Sequence, residues 1–373
     1  MFCIPAEHRI KKKGCRVKPA GVRVMDVESL ICYASDHKAS DIHIVCGVPP
    51  MIRCPGGLEP VEGAAPLTHE DCEKLARELS QGQMDVLMEV GELDGSISVG
   101  GHRIRINLFR QQDHTSAALR ILSDKIPQLE NLGLPRRVPD LTGLNHGIVL
   151  VTGETGSGKS TTLAAMIDRI NHTRGCHILT LEDPVEYVYT PDRCVINQRE
   201  IGRDTQSFSA GLRAALREDP DIILVGEMRD LDTIETALTA AETGHLVLGT
   251  LHAGSAADSV DRMVDVFPEA RQKQIRMQLS MTLQAVLSQQ LLPTAERKGR
   301  TVACELMMVN GAIRNLIREG KTPQIFNILA TTAAEGSVTM DNSIIQLYKV
   351  GKIDEETAKK AAHDTEYVIR NLR

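Results

Sequence analysis

An α/β fold in two parts is what this sequence predicts, and three observations carry it. First, from Gly147 onward short apolar runs alternate with helical patterns. Residues 148–151, 177–181, 222–225 and 246–251 read as strands, with helices at 159–172, about 206–217 and 231–243. Alternation of this kind means a mainly parallel sheet with crossover helices. Second, a glycine-rich loop joins the first of these strands to the first helix, where doubly wound sheets bind anions. Third, residues 22–122 mix strand, helix and turn signals in a different order, as a separate small α/β domain does. A length of 373 residues suits two or three domains, at roughly 100–200 residues each.

Taken in order, residues 1–21 read as a basic flexible tail. Arg9, Lys11, Lys12, Lys13, Arg16, Lys18 and Arg23 cluster at this end. No apolar h-region follows, and no run reaches the roughly 18 apolar residues of a bilayer span. A helix is expected over 24–38, with Val24, Val27, Leu30, Ile31 and Ala34 on one face. Residues 40–46 alternate as a strand, and 51–54 form a second, turned by Pro55-Gly56-Gly57. Thr68 is placed to cap a helix running to Leu79, with Asp71 as its reciprocal capping partner. Residues 91–99 and 102–110 read as a hairpin about Gly100-Gly101, and 116–122 as a further strand. Residues 123–140, with their prolines and turn residues, read as a linker to a catalytic core over 141–310. The remainder, 311–373, reads as helical, with segments at 311–318, 323–331, 341–350 and 355–373; a longer helix is expected at 269–291.

Composition narrows the partners. The net charge is −6, aromatic residues make up 3% and tryptophan is absent. A nucleic-acid motor needs a basic field and stacking platforms, so no nucleic-acid partner is expected. Nine cysteines fall at irregular spacing with no C-x-x-C pair. That pattern suits free thiols in a reducing cytosol better than a disulfide framework or zinc site.

The chemistry is concentrated between 147 and 252. Gly153, Glu154, Thr155, Gly156, Ser157, Gly158, Lys159 and Ser160 fit G-x-x-x-x-G-K-[ST], and Thr161 continues into the helix. Glycines let backbone N–H groups converge on an anion, and the helix N-terminus adds its dipole. Lys159 is expected to reach the β- and γ-phosphates of ATP, and the Ser160 hydroxyl to ligate Mg²⁺. Acidic groups must face such a loop to organise the metal shell and the attacking water. Three strand ends offer them or a histidine: Glu182-Asp183-Pro184-Val185-Glu186, Gly226-Glu227, and the run bounded by His245 and His252.

These runs are also where a family resemblance becomes specific. The chain resembles the hexameric ATPases of type II secretion and type IV pilus systems. The carriers are 153–160, the acidic run 181–187, the stretch 212–230 and the histidine run 243–252. Residues 39–43 and 47–53 resemble the start of that family's N-terminal PAS-like domain. Residues 312–321 (Ala-Ile-Arg-Asn-Leu-Ile-Arg-Glu-Gly-Lys) resemble the signature of its retraction subfamily. The resemblance implies a PAS-like α/β domain followed by a RecA-like P-loop ATPase domain with a helical end. It implies that Glu227 organises Mg²⁺ and water and that Glu182 is a candidate general base, the two roles remaining interchangeable. It implies that His252 senses the γ-phosphate with His245 in support, and that Arg103, Arg105 and Arg110 reach a nucleotide from the N-terminal domain. It implies a homo-hexamer at the cytoplasmic face of the cell membrane. Its expected partners are an inner-membrane pilus platform protein and related pilus motor ATPases.

Polymerising relatives carry an extra domain and a tetracysteine zinc site. No cysteine lies between 194 and 304 here, which favours a retraction-type motor. An accessory retraction motor or an assembly or secretion ATPase of the same family is the alternative. A nucleic-acid-translocating motor and a non-hydrolysing ATP-binding module are rivals from other classes.

Overall fold

The computed structural model describes residues 26–122 and 125–372, so the basic tail lies outside the described residues. The chain divides at Asp124/Lys125 into two compact units.

The first unit holds α1 (Val27–Asp36), β1 (Asp41–Ile44), β2 (Met51–Cys54), β3 (Gly57–Pro60), α2 (His69–Leu79), α3 (Met84–Val90), β4 (Glu92–Val99), β5 (His102–Gln111) and β6 (His114–Ile121). Its six strands form one sheet in the order β3-β2-β1-β6-β5-β4, antiparallel at each pairing. The expected hairpin closes with Val99 opposite His102. Thr68 caps α2 through Asp71 N–H while the Asp71 carboxylate accepts from Thr68 N–H at 2.9 Å, the anticipated capping box. Leu30, Ile31, Leu75 and Leu79 of the helices pack on Ile42, Ile104, Leu108 and Leu119 of the strands. The strand β3, exposed at every residue, and the seven-residue helix α3 were not anticipated.

The second unit begins with α4 (Val138–Leu141), β7 (Gly147–Thr152), α5 (Lys159–Thr173), β8 (His177–Glu182), β9 (Val195–Glu200) and α6 (Phe208–Ala215). It continues with β10 (Ile222–Val225), α7 (Leu231–Glu242), β11 (Leu246–Leu251), α8 (Ala256–Asp265), α9 (Glu269–Thr282), β12 (Leu283–Pro293) and β13 (Arg300–Met308). Five helices close it: α10 (Gly311–Glu319), α11 (Ile325–Thr331), α12 (Met340–Lys349), α13 (Glu355–Ala361) and α14 (Thr365–Leu372). Residues 125–141 pack onto this unit, burying Leu129, Val138 and Leu141 in its core.

Seven strands run in the order β13-β12-β7-β11-β10-β8-β9. All pair in parallel except β13, which returns antiparallel on β12. Strands buried on both faces read as continuous apolar runs, and β7, β10 and β11 are buried at every residue. One core packs α7, α8, α9 and α10 on one face, and a second packs α5 and the 129–141 segment on the other. Chain order leaves β7 for β8 on one side and later returns to β12 on the other. The carboxyl end of β7 is therefore a switch point, where α/β sheets bind ligands.

The expected helix over 269–291 is overturned in its second half. It ends at Thr282, and the next eleven residues are β12. Leucine, glutamine and alanine favour a helix locally, but here they are buried between β7 and β13, and burial overrides propensity. The expected helix at 355–373 breaks into α13 and α14, because Asp341 accepts from His363 N–H at 2.8 Å and from Asp364 N–H at 3.0 Å.

Candidate nucleotide site

β7 delivers the loop 153–160 and α5 starts at Lys159. Three of its glycines have positive φ: +139° at Gly153, +79° at Gly156 and +94° at Gly158. At Gly153 a side chain would run into the Gln289 carbonyl and stand 2.6 Å from Ser157 Oγ. Only glycine suits that position. The Lys159 ammonium donates to the carbonyls of Gly153 at 2.8 Å and Glu154 at 2.9 Å, curling back over the loop. Burial pushes its pKa down, and the carboxylates of Glu227 and Glu186 oppose that shift. The buried Ser157 Oγ has no hydrogen-bond partner. Glycine conformations, a lysine wrapped over the loop and an orphaned hydroxyl make a cradle that fits a phosphate chain. Ser160 is exposed in the first turn of α5.

Opposite the loop, Glu227 follows β10 and His252 follows β11. His252 Nε2 lies 3.1 Å from Glu227 Oε1. Burial lowers the His252 pKa, and the nearby Lys159 charge lowers it further. The Glu227 carboxylate opposes that shift. The Arg229 guanidinium also donates to Glu227.

Glu182 ends β8. Its Oε1 accepts from Thr180 Oγ1 at 2.6 Å and from Gln198 Nε2 at 3.2 Å. Burial nevertheless dominates and raises its pKa to about 6. The loop after it is pinned twice. Buried Glu200 accepts from Val185 N–H at 3.1 Å, and Tyr187 OH lies 3.1 Å from Thr161 Oγ1 on α5.

The fold thus brings Lys159, Glu227 and His252 together, with Glu182 on the neighbouring strand end. His245 is not brought there. It stands before β11, at the opposite end of the strand from His252, ~20 Å away at about 3.3 Å per residue. Its Nδ1–H donates to the Ala240 carbonyl at 2.9 Å, closing the end of α7. The three arginines sit on β5 of the first unit. Arg103 donates to Ser98 Oγ at 3.2 Å and also to Ser96, both across the hairpin. Strand alternation puts Arg103 and Arg105 on one face and Arg110 on the other, where Arg110 contacts Met88 Sδ at 3.7 Å.

Within the acidic run, Glu186 is the carboxylate whose charge acts on Lys159. Two residues escaped the sequence reading. Gln289 of β12 floors the loop, donating to Thr162 Oγ1 at 3.0 Å. Beside it Ser288 Oγ lies 2.8 Å from Thr152 Oγ1. Assigning β12 to a helix hid both. A cleft of about 740 Å³ opens from Ser157, Gly158 and Thr161 along Leu132, Leu291 and Arg300. Among the described residues no group of three or more His, Cys, Asp or Glu could hold a metal. No helix among them is long and apolar enough to cross a membrane.

Comparison with known proteins places this geometry in context. The model of the type II/IV secretion system protein family matches residues 94–368. The chain is 46% identical to the type IV pilus retraction ATPase PilT of Pseudomonas aeruginosa, over 91% of this chain and 98% of that one. It is 45% identical to a twitching motility protein of Neisseria gonorrhoeae, over 85% of each. The crystal structure of the pilus retraction motor PilT with bound ADP superposes with a TM-score of 0.86 at 47% identity, covering 93% and 99% of the two chains.

Proposed function

Because the chain belongs to the type II/IV secretion system protein family, we propose that it is an ATPase whose hydrolysis powers type IV pilus retraction and twitching motility. The observation that carries this reading is the loop 153–160, with Lys159 set between its own carbonyls and the carboxylates of Glu227 and Glu186. The near full-length likeness to PilT extends the reading from nucleotide chemistry to the motor.

In this mechanism backbone N–H groups of 154–161 hold the phosphates. Lys159 leaves the Gly153 and Glu154 carbonyls to neutralise charge building on the γ-phosphoryl oxygens. Ser160 and Glu227 would hold Mg²⁺. Such an ion takes few protein ligands because waters and phosphates complete its shell. It would supply charge neutralisation to the phosphates. Glu227 or Glu182 orients the attacking water and takes its proton. His252, beside Glu227, senses the γ-phosphate, while the 740 Å³ cleft receives the base and ribose. Arg103 and Arg105, which share a face of β5 in a PAS-like first unit, are the arginines offered to nucleotide within a homo-hexamer, and Arg110, on the other face, is not. The ring acts on an inner-membrane platform protein from the cytoplasmic side, beside related pilus motor ATPases.

Two measurements test this. Lys159→Ala, checked by melting to be folded, is expected to release phosphate from ATP at least ~100-fold more slowly. Wild-type turnover in that variant sinks the site. Deleting the gene is expected to give hyperpiliated, non-twitching cells. Bald cells would assign the motor to assembly.

A further inference from the structure

A thiol pair outside the nucleotide loop carries a chemistry of its own. Cys176 precedes β8 and Cys194 precedes β9, one residue before the registered pair His177 and Val195. They are therefore direct neighbours on adjacent parallel strands. Val195 N–H donates to the Cys176 carbonyl at 3.1 Å, which fixes that proximity through the backbone. Neighbouring strands lie about 4.8 Å apart, inside the Cα–Cα range of about 4.4–6.8 Å that a disulfide spans. The two Sγ atoms already stand 3.4 Å apart. Cys194 S–H is also within reach of the Arg174 carbonyl at 3.1 Å and the Ile170 carbonyl at 3.8 Å. Cys176 is half-buried and Cys194 buried, so a reagent meets Cys176 first.

We propose that Cys176 and Cys194 form an intrachain disulfide by exchange with a small-molecule disulfide, clipping together the two ends of the segment that carries Glu182, Glu186 and Tyr187. In the first step the Cys176 thiolate attacks one sulfur of the reagent. A Cys176–S–S–R bond forms, the reagent's S–S bond breaks, and one RS⁻ leaves and takes up a proton. Cys194 then loses its proton and attacks Cys176 Sγ, expelling the second RSH. Two protein thiols are oxidised and one small disulfide is reduced to two thiols. Burial pushes the Cys176 thiol up to about 12, so the first step is slow at neutral pH and faster in alkali.

The test uses the whole protein and oxidised glutathione as reagent. It is treated at pH 8.5, quenched with acid, alkylated in denaturant and digested with trypsin. Cleavage after Arg174, Arg193 and Arg199 separates peptide 175–193 from peptide 194–199. The expected product is these two peptides joined, lighter than their sum by two hydrogens, and freed by dithiothreitol. Cys194→Ala is expected to stop at a glutathione adduct on Cys176. A wild-type protein that keeps both thiols alkylatable, or that accumulates the Cys176 adduct without the joined peptides, overturns the proposal.

Discussion

Glu182 is held by two opposing effects, and their balance is measurable. The Thr180 and Gln198 hydrogen bonds favour its carboxylate, but burial wins and lifts the pKa from 4.5 to about 6. Between those values the folded protein binds the proton more tightly than the unfolded chain does. The stability this group contributes is therefore lost as pH rises from 4.5 through 6. Glu182→Gln does not titrate. It should gain on the wild type across that window and level off above it, ahead by about 1–2 kcal/mol, at 1.36 kcal/mol per unit. Denaturant midpoints of both proteins at pH 4 and pH 7.5 check this, and parallel curves would refute it. If Glu182 is also the base, wild-type ATP turnover should fall about tenfold per unit below pH 6. Lys159, Glu227 and His252 were legible because a loop motif and strand-end positions named them. Glu186 was quoted in the same acidic run, but which carboxylate faces Lys159 depends on the path of the 183–194 segment. Glu200, from outside the acidic run, and Tyr187, at its end, fix that path.

At the scale of elements, local rules succeeded where local forces decide. Thr68 and Asp71 named the start of α2 by their spacing, and Thr68→Ala should cost about 1 kcal/mol. That loss should appear in the melting of the first unit and leave ATP turnover unchanged. Gly153→Ala belongs to the junction of β7, the loop and β12. A φ of +139° and the clash with Gln289 leave no room for a methyl group. The variant should lose nucleotide binding and about 3 kcal/mol of stability, read by nucleotide titration and chemical denaturation. Wild-type affinity there would overturn the assignment of β12 as the floor. β12 itself was illegible for a physical reason. Its Leu-Gln-Ala-Val-Leu-Ser-Gln-Gln-Leu-Leu run is helix-forming by composition, and it is a strand because β7 and β13 flank it. β13 and β9 escaped too: β13 pairs with β12, which reads as helix, and β9 is an edge strand paired only with β8.

Across the whole molecule, the two units have separate cores, so a fragment spanning 125–373 should fold alone and melt cooperatively. Calorimetry of that fragment checks it, and a non-cooperative melt would show that it needs residues 26–122. The fold class was readable because alternating apolar runs report a parallel sheet directly. The placement of β12 was not, because it joins residues more than a hundred positions apart, as in the Ser288–Thr152 contact. That distance has a consequence for synthesis. A ribosome releases β7, the phosphate loop and β8 to β11 before the strand that floors the loop exists. At about 5–20 residues per second, the interval from Leu251 to Pro293 lasts roughly 2–8 s. Throughout it the apolar β7 has an open edge, and such edges recruit other strands. During that window the nascent sheet is open to wrong strand partners at the edge that β12 later covers.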